Sequence, residues 1–594
     1  RNHILRDVVE LLSLSRQKKG KRRGRISYAR LGINQLGAVY EGLLSYEGFF
    51  ANEDLYEVKR KGDDWDPLEQ AYFVQATELE QFDEEEKVFN KDGTLMKHEK
   101  GTFVYRLAGR LREKSASYYT PDVLTKCLVK YSLKELIGEK PEDENWKTAD
   151  EIIKLTVCEP AMGSAAFLNE AINQLADAYL SRKQTELGRI IPHDQFFLER
   201  QKVKTSLADN NVFGVDLNPV AIKLAEISLW LNSIHEGGFV PWFGFQFHAG
   251  NSLVGARRQV FASELLGKVS RGEATWHDSV PEDVPLGTAR SSSTVYHFLA
   301  PDKGMADYKD KVVKSLVPEE IEKIKEWRND FNKPFDDRDV RLLERLSRSV
   351  DKLWDTHVDE LRKLRHDTTD PLPLWGQPGH GEKVAQQSDL AWKDAKFEKE
   401  FLSKEVRFSS AYRRLELVMN YWCSLWFWPI DQADHLPSRD EYLMELQYIL
   451  EGKPMDEYGV EEDAGQMTLF PDTMERQEQL ELAEKLGYVD VDRLCEEFPR
   501  LQLVSEINKR YRFHHWELEF ADLFKDNGGF DLILGNPPWV RTRWEESGIL
   551  SEFAPVFSVK KLRAVEVDQL RQNVLDNEKE LSDYLSEYVE AESN

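Results

Sequence analysis

Cysteine is scarce in this sequence, with four residues in 594 and no pair at the Cys-x-x-Cys spacing. This scarcity excludes a disulfide framework and a zinc site built from cysteines, and it is typical of a chain that works in a reducing compartment. We therefore expect a cytoplasmic protein without a cysteine-built metal centre, and we assign no residue as a metal ligand. The four residues are Cys127, Cys158, Cys423 and Cys495.

Long apolar runs are missing as well. The most apolar window, residues 415–430, contains Glu416 and Asn420. It is shorter than the roughly 20 residues that a membrane-spanning helix needs, and no signal-peptide pattern opens the chain. Hydrophobic residues nevertheless make up 41% of the sequence, which is enough for more than one buried core. The sequence thus predicts a protein of several domains with no membrane contact.

The sequence also lacks a net positive charge, because 106 acidic residues outnumber 80 basic ones and give a formal charge of −26. A protein of this charge can bind nucleic acid only where basic residues are gathered locally. One such gathering is the stretch SRQKKGKRRGR at 15–25. It fits phosphate contacts or a solvated arm without a ligand, and both interpretations stay open.

Apolar patterning divides the chain into five segments. Strand-like runs alternate with helical ones from about 115 to 255 and again after about 505, which predicts one parallel sheet covered by helices. Residues 36–50 predict an amphipathic helix, and residues 54–63 predict a short strand followed by a turn. The predicted order is a mostly helical N-terminal domain with a basic arm (1–114), the first part of an α/β core (115–255), a large, mostly helical insertion (256–504), the second part of the core (505–563) and an acidic helical tail (564–594).

Polar residues stand where the predicted strands of the core end. Ligands of such sheets bind beyond the carboxyl ends of the strands, where loops and helix N-termini converge. The first strand ends at Glu159, followed by small residues that either admit a ligand closely or only pack tightly. The second ends at Asp216, which can accept the hydroxyls of a ribose or cap the next helix. Asn251 follows the third and can read an adenine edge or form a turn.

The fourth strand runs into Asn-Pro-Pro-Trp, residues 536–539. Two consecutive prolines restrict the backbone, so the side-chain carbonyl of Asn536 and the main-chain carbonyl of Pro537 form two acceptors in a preset geometry. Trp539 adds a flat face beside them. Two acceptors and a stacking ring describe a socket for the exocyclic NH₂ of a planar base. A proline-stiffened loop around a buried tryptophan is the alternative, and the three other strand ends weigh against it.

In their order along the chain, these motifs resemble those of the N6-adenine DNA methyltransferases that use S-adenosylmethionine. SYYTP at 117–121 looks like the segment that holds the methionine part of the cofactor, and EPAMGSAAFL at 159–168 is similar to the cofactor loop. NPPW matches the catalytic motif. With GAVYEGLLSYE and FHHWELEFADLF, the set is similar to the large methyltransferases of type IIG restriction enzymes, of which the phage-defence systems BREX and DISARM use relatives.

The resemblance implies a Rossmann-like methyltransferase fold, double-stranded DNA as partner, and three groups of site residues. It assigns catalysis to Asn536, Pro537, Pro538 and Trp539. It assigns S-adenosylmethionine binding to Tyr118, Tyr119, Thr120, Pro121, Glu159, Pro160, Ala161, Gly163, Ala165, Phe167, Asp216, Leu217, Asn251, Ser252 and Asn536. Candidates for DNA phosphate contacts, or for an ordinary charged surface, are Arg541, Arg543, Lys560, Lys561 and Arg563.

The sequence departs from the family pattern in three places. Ala165 stands where the family usually has glycine and Met162 where it has cysteine, so we expect a tighter cofactor loop that still binds. The chain ends soon after the catalytic motif, so later sheet strands and a target-recognition domain are absent from it, and the strand at 530–534 would be an exposed edge. We expect a downstream segment or a second polypeptide to supply them, alongside other defence-system proteins.

The activity implied is transfer of a methyl group to the N6 amine of a flipped adenine in DNA. Three alternatives stay open. The same socket occurs in enzymes that methylate an amide in release factors or an amine in RNA. A nuclease in the same chain would use Glu57 and Lys59 of DLYEVK, although no suitable acid lies between Asp7 and Glu41. A scaffold that binds cofactor or DNA without turnover is the third.

Overall fold

The computed structural model describes residues 2–15, 23–27, 46–66, 71–107, 120–267, 275–380, 388–397, 411–452, 489, 491–537 and 544–593. These ranges contain α-helices together with parallel and antiparallel β-sheets, which confirms the predicted α/β class. Within the same ranges, no helix combines the length and apolar character needed to cross a bilayer.

The described elements are named here in chain order. The strands are β1 (Tyr46–Phe50), β2 (Leu55–Val58), β3 (Tyr72–Gln75), β4 (Lys97–His98), β5 (Phe103–Leu107), β6 (Val157–Glu159), β7 (Val212–Asp216), β8 (Phe247–Ala249), β9 (Gln259–Ala262), β10 (Glu282–Asp283), β11 (Thr294–Tyr296) and β12 (Leu532–Ile533). The helices are α1 (Asn2–Ser13), α2 (Asp122–Ile137), α3 (Ala149–Ile152), α4 (Ala166–Leu187), α5 (His193–Asn210), α6 (Pro219–Ser233), α7 (Ser263–Leu266), α8 (Lys311–Leu316), α9 (Pro318–Phe331), α10 (Asp337–Thr368), α11 (Leu390–Phe397), α12 (Ala411–Ser424), α13 (Arg439–Glu451), α14 (Val491–Glu497), α15 (Pro499–Tyr511), α16 (Trp516–Glu519), α17 (Ala521–Asn527), α18 (Glu546–Phe553), α19 (Val556–Val559), α20 (Ala564–Leu575) and α21 (Glu578–Ser593). Short 3-10 helices lie at Leu79–Gln81, Trp276–Asp278, His297–Leu299 and Ile430–His435.

Residues 46–107 form two small antiparallel sheets. β1 pairs with β5, while β2 lies between β3 and β4. The strand and turn predicted for 54–63 are confirmed by β2 and the turn at Gly62. A mostly helical N-terminal domain is wrong for these residues, as is the helix predicted for 36–50 over its last five residues; its residues 36–45 lie outside the described ranges.

Aromatic pairing across the β1–β5 ribbon explains this difference. Tyr46 stacks on Tyr105 with ring centroids 5.3 Å apart, and Phe50 meets Phe103 at 5.3 Å. Between them, Gly48 leaves room for the Phe103 ring, which a Cβ at position 48 would strike. Cross-strand aromatic pairs stabilise a ribbon, and the short apolar run at 46–50 fits a strand period as well as a helical one.

The predicted parallel sheet is observed and organises the site. Its strands stand in the order β12-β6-β7-β8 in the described part of the chain, and all three pairings are parallel. The carboxyl ends of the strands therefore lie at one edge of the sheet. Both faces are covered, because Val157 and Val212 pack with α4 while Cys158 and Phe213 pack with Phe520. Burial on both faces explains why these strands read as continuous apolar runs.

The insertion and the tail share one large hydrophobic core. Long helix α10 packs along α12, α13 and α17, and β9 lies between β10 and β11. The acidic tail is anchored through α21, because the hydroxyl of Tyr588 accepts the amides of Lys309 and Asp310 at 3.0 Å each. The described residues between 256 and 504 lie mostly in helices and form an additional small sheet.

Buried histidines line the junction between the parallel sheet and the insertion. Nδ1 of His515 accepts the Ala256 amide at 3.0 Å, and its Nε2 lies 3.0 Å from Oδ1 of Asn420 on α12. Burial, with a smaller contribution from His297, lowers the pKa of His515 to about 3. Burial likewise lowers the pKa of His248 to about 4. These rings are neutral in the folded protein at neutral pH.

We expect His515→Gln to change the pH dependence of stability. Below the ordinary histidine pKa of about 6.5, unfolding of the wild type takes up a proton at His515, whose folded pKa is about 3. Stability present above pH ~6.5 is therefore lost as the pH falls, by about 1.4 kcal/mol per unit. The advantage of the wild type over the variant should shrink by about 2 kcal/mol between pH 6.5 and 5, as measured by urea denaturation.

His366→Gln is the matched control, because the side chain of His366 lies 89% exposed on α10. The pH dependence measured for His366→Gln is the reference for the loss of an exposed histidine. A difference between the wild type and His515→Gln that stays constant over this pH range would mean that the junction does not hold this ring neutral.

Candidate functional site

The first strand end carries a buried carboxylate. Glu159 closes β6 at 2% exposure, and its Oε2 accepts the Leu168 amide from the first turn of α4 at 3.2 Å. The N-cap residue of that helix, Ala165, has no side chain that can accept a hydrogen bond. The Glu159 carboxylate therefore accepts a backbone N–H group that has no partner within the helix. Burial raises the pKa of Glu159 well above its usual range; the amides of Leu168 and Phe167 oppose the rise, and the charge of Asp216 adds to it.

The loop after Glu159 is tied to β7 by two backbone donors. The amide of Met162 donates to the Val215 carbonyl at 3.1 Å, and the amide of Gly163 donates to Oδ2 of Asp216 at 2.8 Å. Gly163 and Ala165 both have left-handed backbones, with φ of 51° and 62°. This conformation costs an alanine about 1–2 kcal/mol, which explains why the resembling family prefers glycine there.

Met162 packs inward from this loop, against Gly214 of β7. Its side chain is 2% exposed, and a Cβ added to Gly214 would collide with its Sδ. The larger residue at position 162 is therefore accommodated by the absence of a side chain at 214. Sequence reasoning missed this partnership, for which a glycine inside a predicted strand was the available signal.

Asp216, at the end of β7, accepts two backbone amides. Besides Gly163, the amide of Asn218 donates to its Oδ1 at 2.8 Å. The cap of α6 is Asn218, whose Oδ1 accepts the Val220 amide at 2.9 Å, so the helix-cap interpretation of Asp216 is wrong. Burial raises the pKa of Asp216, and the amides of Asn218 and Gly163 oppose the rise. Leu217 follows with half of its surface exposed.

Asn251 forms a turn beyond β8. Its Oδ1 accepts the Leu253 amide at 3.1 Å, which leaves the amide nitrogen of the side chain as the group able to donate to a ligand. The carbonyl of Ser252 accepts Nε1 of Trp516 at 3.0 Å. The turn interpretation is thus observed, and adenine reading by Asn251 stays a prediction.

Asn536 meets Thr120 at the other side of the same edge. Its Nδ2 donates to Oγ1 of Thr120 at 3.2 Å, across 416 positions of sequence. Thr120 is buried immediately before Pro121, the N-cap residue of α2. Gly535 lies beside Pro160, because a Cβ added to the glycine would lie 3.7 Å from the proline ring. Tyr118, Tyr119, Pro538 and Trp539 lie outside the described residues.

The structure thus brings most of the predicted cofactor residues to one edge of the sheet. The segment from Glu159 at the end of β6 to Phe167 in the first turn of α4 lies in the centre, with Asp216 and Leu217 on one side and Thr120, Pro121 and Asn536 on the other. Asn251 and Ser252 continue beyond Asp216, whose carbonyl accepts the Gly250 amide at 3.0 Å. Asp216, Asn251 and Thr120 thus bring a carboxylate, an amide group and a hydroxyl to this edge of the sheet.

The predicted phosphate-binding residues have different surroundings. Lys560 forms an ion pair with Glu86 at 3.7 Å and lies over the Phe82 ring, so its charge faces the N-terminal sheets. Lys561 and Arg563 are exposed. Arg541 and Arg543 lie outside the described residues, and DNA contact stays a prediction for the group.

Glu57, the acid of the nuclease alternative, is buried in a structural ion pair. It is 1% exposed, and its Oε1 accepts Nη2 of Arg106 at 2.8 Å and lies 3.0 Å from Nε2 of His98. Its Oε2 accepts Nε1 of Trp65 at 2.7 Å. A carboxylate with both oxygens engaged in this way is accounted for by the packing of β2.

Two comparisons with known proteins found similar sequences. Residues 417–562 match the model of a family described as Eco57I restriction-modification methylase. A protein of Methanocaldococcus jannaschii named as a type II restriction enzyme and methyltransferase is 26% identical over 202 residues, a match that covers 26% of this chain. The chain spans 16% of the length of that relative. Both similarities are to restriction-modification methyltransferases.

We expect Gly214→Ala to destabilise the protein by about 1–3 kcal/mol, because the new methyl group overpacks the space filled by Met162. In a Met162→Ala background the same change should be neutral or stabilising. A double-mutant cycle by chemical denaturation should therefore give a coupling of at least about 1 kcal/mol. Equal costs of Gly214→Ala in both backgrounds would contradict the proposed contact.

Proposed function

We propose that this chain carries the catalytic core of a site-specific DNA methyltransferase that acts on the N6 amine of adenine, in a prokaryotic restriction-modification or phage-defence system. The contact between Thr120 and Asn536 supports this most directly. It joins the segment that resembles the methionine-binding motif to the segment that resembles the catalytic motif, beside the Asp216 loop.

The cofactor implied is S-adenosylmethionine, which when bound supplies a methyl group on a positively charged sulfur. Asp216 would accept the ribose hydroxyls, since each carboxylate oxygen has a second lone pair besides the one used by a backbone amide. The side-chain nitrogen of Asn251 would donate to the adenine. Tyr118, Tyr119 and Thr120 would line the amino-acid part.

Asn536 and Pro537 would hold the target amine. The Oδ1 of Asn536 and the carbonyl of Pro537 accept its two N–H groups, which draws the nitrogen lone pair out of conjugation and toward the methyl carbon. In the orientation observed, the Nδ2 of the same amide donates to Oγ1 of Thr120, and Oδ1 is the atom that would accept from the target amine. The amine loses a proton after transfer, so no side-chain base is required. Positioning of this kind can contribute roughly 7–11 kcal/mol.

The substrate base must leave the duplex to reach this edge, at a cost of a few kcal/mol. Stacking on Trp539, worth about 1–3 kcal/mol, would offset part of that cost. Arg541, Arg543, Lys561 and Arg563 would contact phosphates, and Lys560 would have to leave Glu86 to join them.

A further strand would complete the sheet beside the catalytic segment. Within the described residues, β12 pairs only with β6, and Ile533 is 63% exposed. A further segment or a second polypeptide that pairs with this edge would bury Ile533 and could carry the element that reads the target sequence. Other proteins of a defence system would then join this assembly.

We expect Asn536→Ala and Asp216→Ala to separate catalysis from cofactor binding. In the full-length protein, Asn536→Ala should reduce DNA methylation at least about 100-fold and change the affinity for S-adenosylhomocysteine less than about threefold. Asp216→Ala should weaken that affinity first, because the ribose acceptor and the anchor of Gly163 are both lost. Calorimetry and a methylation assay measure the two effects.

Loss of cofactor binding in the Asn536 variant would show that the assigned role is wrong. The same methylation assay with RNA and with protein substrates tests the alternative acceptors. Cofactor binding without turnover on any of the three substrates would favour a scaffold.

A further inference from the structure

Residues 512–516, here called the return segment, lead the chain from the insertion back to the parallel sheet. They run beside the loop after β8. The Asn251 amide donates to the Arg512 carbonyl at 2.7 Å, and the His514 amide donates to the Val254 carbonyl at 2.9 Å. Phe513 and Asn251 form a parallel bridge. The return segment therefore extends the sheet locally, at the point where the predicted adenine contacts lie.

Two glycines make this approach possible. A Cβ on Gly250 would lie 2.9 Å from the Cβ of His514, and a Cβ on Gly255 would overlap the His514 carbonyl oxygen. Neither glycine has a left-handed backbone, so close packing alone requires them. The loop from Gly250 to Gly255 is thus shaped to receive the return segment.

Two side chains of the return segment reach further, to the backbone of both strand ends. The guanidinium of Arg512 donates to the carbonyl of Leu217, immediately after Asp216. Nε1 of Trp516 donates to the carbonyl of Ser252 at 3.0 Å, immediately after Asn251. The residue next to the predicted ribose acceptor and the residue next to the predicted adenine donor are therefore both held from one segment.

Both donors are themselves fixed in place. Trp516 meets the His514 ring edge-on, with centroids 4.6 Å apart and planes at 89°. Arg512 has a left-handed backbone with φ of 54° at the end of α15, where its amide donates to Asn508 and the Asn508 side chain accepts the Phe513 amide. A donor whose own position is fixed transmits that position to its acceptor.

We propose that Arg512 and Trp516 are positioning residues for the adenosine half of the cofactor, acting through the backbone of Leu217 and Ser252. The assignment rests on the proposed function, because it takes Asp216 and Asn251 as the nucleoside contacts. Neither side chain touches the reacting atoms. Their role is to keep the ribose acceptor and the adenine-reading turn at a fixed separation, so that the site discriminates adenine from other bases.

The experiment compares Trp516→Phe with Trp422→Phe in the full-length protein. Trp422 is a matched control, because its Nε1 also donates to a backbone carbonyl, that of Ala300 at 2.9 Å, and its ring also meets a histidine edge-on at 4.9 Å. Calorimetry measures the affinity of each variant for S-adenosylhomocysteine and for S-inosylhomocysteine, in which a carbonyl replaces the adenine amine. The ratio of the two affinities reports how well the adenine edge is read.

We expect Trp516→Phe to weaken S-adenosylhomocysteine binding roughly three- to tenfold, as the loss of one hydrogen bond allows, and to weaken S-inosylhomocysteine binding less. The ratio of the affinity for S-adenosylhomocysteine to that for S-inosylhomocysteine should therefore fall in Trp516→Phe and stay unchanged in Trp422→Phe. Arg512→Met should weaken binding similarly, and Arg512→Lys, which keeps a donor of similar reach, should restore most of the affinity.

The outcomes separate the two proposals. If the wild type binds and Trp516→Phe leaves the ratio unchanged, whether or not both affinities fall, the positioning role is wrong and the proposed function stands. If the Trp516 variant does not fold, the Arg512 pair decides in the same way. A wild type without affinity for S-adenosylhomocysteine overturns the proposed function and the positioning role with it.

Discussion

The pairing of β12 with β6 is the constraint on which the site depends. Its register is fixed by Asp531, whose Oδ2 accepts both the amide and the hydroxyl of Thr156, at 2.8 and 2.9 Å. A slip of one residue would reverse the faces of β12 and remove these bonds. In the observed register, the chain after Ile533 leads Asn536 to Thr120. A small number of hydrogen bonds thus brings the two halves of the predicted site together.

The central loops of the site are organised by their own hydrogen bonds. Asp216 joins the Gly163 loop to the start of α6, and Glu159 binds the first turn of α4. Burying both carboxylates costs free energy, and the hydrogen bonds that they accept from backbone amides offset part of it. The loops therefore hold their shape through internal bonds, which reduces the ordering that ligand binding would require.

Short-range patterns in the sequence predicted the strand ends well. Glu159, Asp216 and Asn251 each follow an apolar run, so their positions at one edge follow from a parallel sheet alone. The contacts that depend on distant partners were not predictable. Gly214 is explained only by Met162, and the two glycines around Asn251 only by His514. The ribbon at 46–50 was misread because five residues do not distinguish a strand from a helix, and its partner, β5, lies more than fifty positions away.

The long separation between Thr156 and Asp531 has a consequence during synthesis. Because β12 follows β6 by about 375 residues, β6 is synthesised roughly 20–75 s before its partner strand, at elongation rates of about 5–20 residues per second. Throughout that interval one side of β6 offers unsatisfied backbone groups to any nascent chain nearby. The rate at which the intervening residues are translated therefore sets how long this edge of β6 stays open.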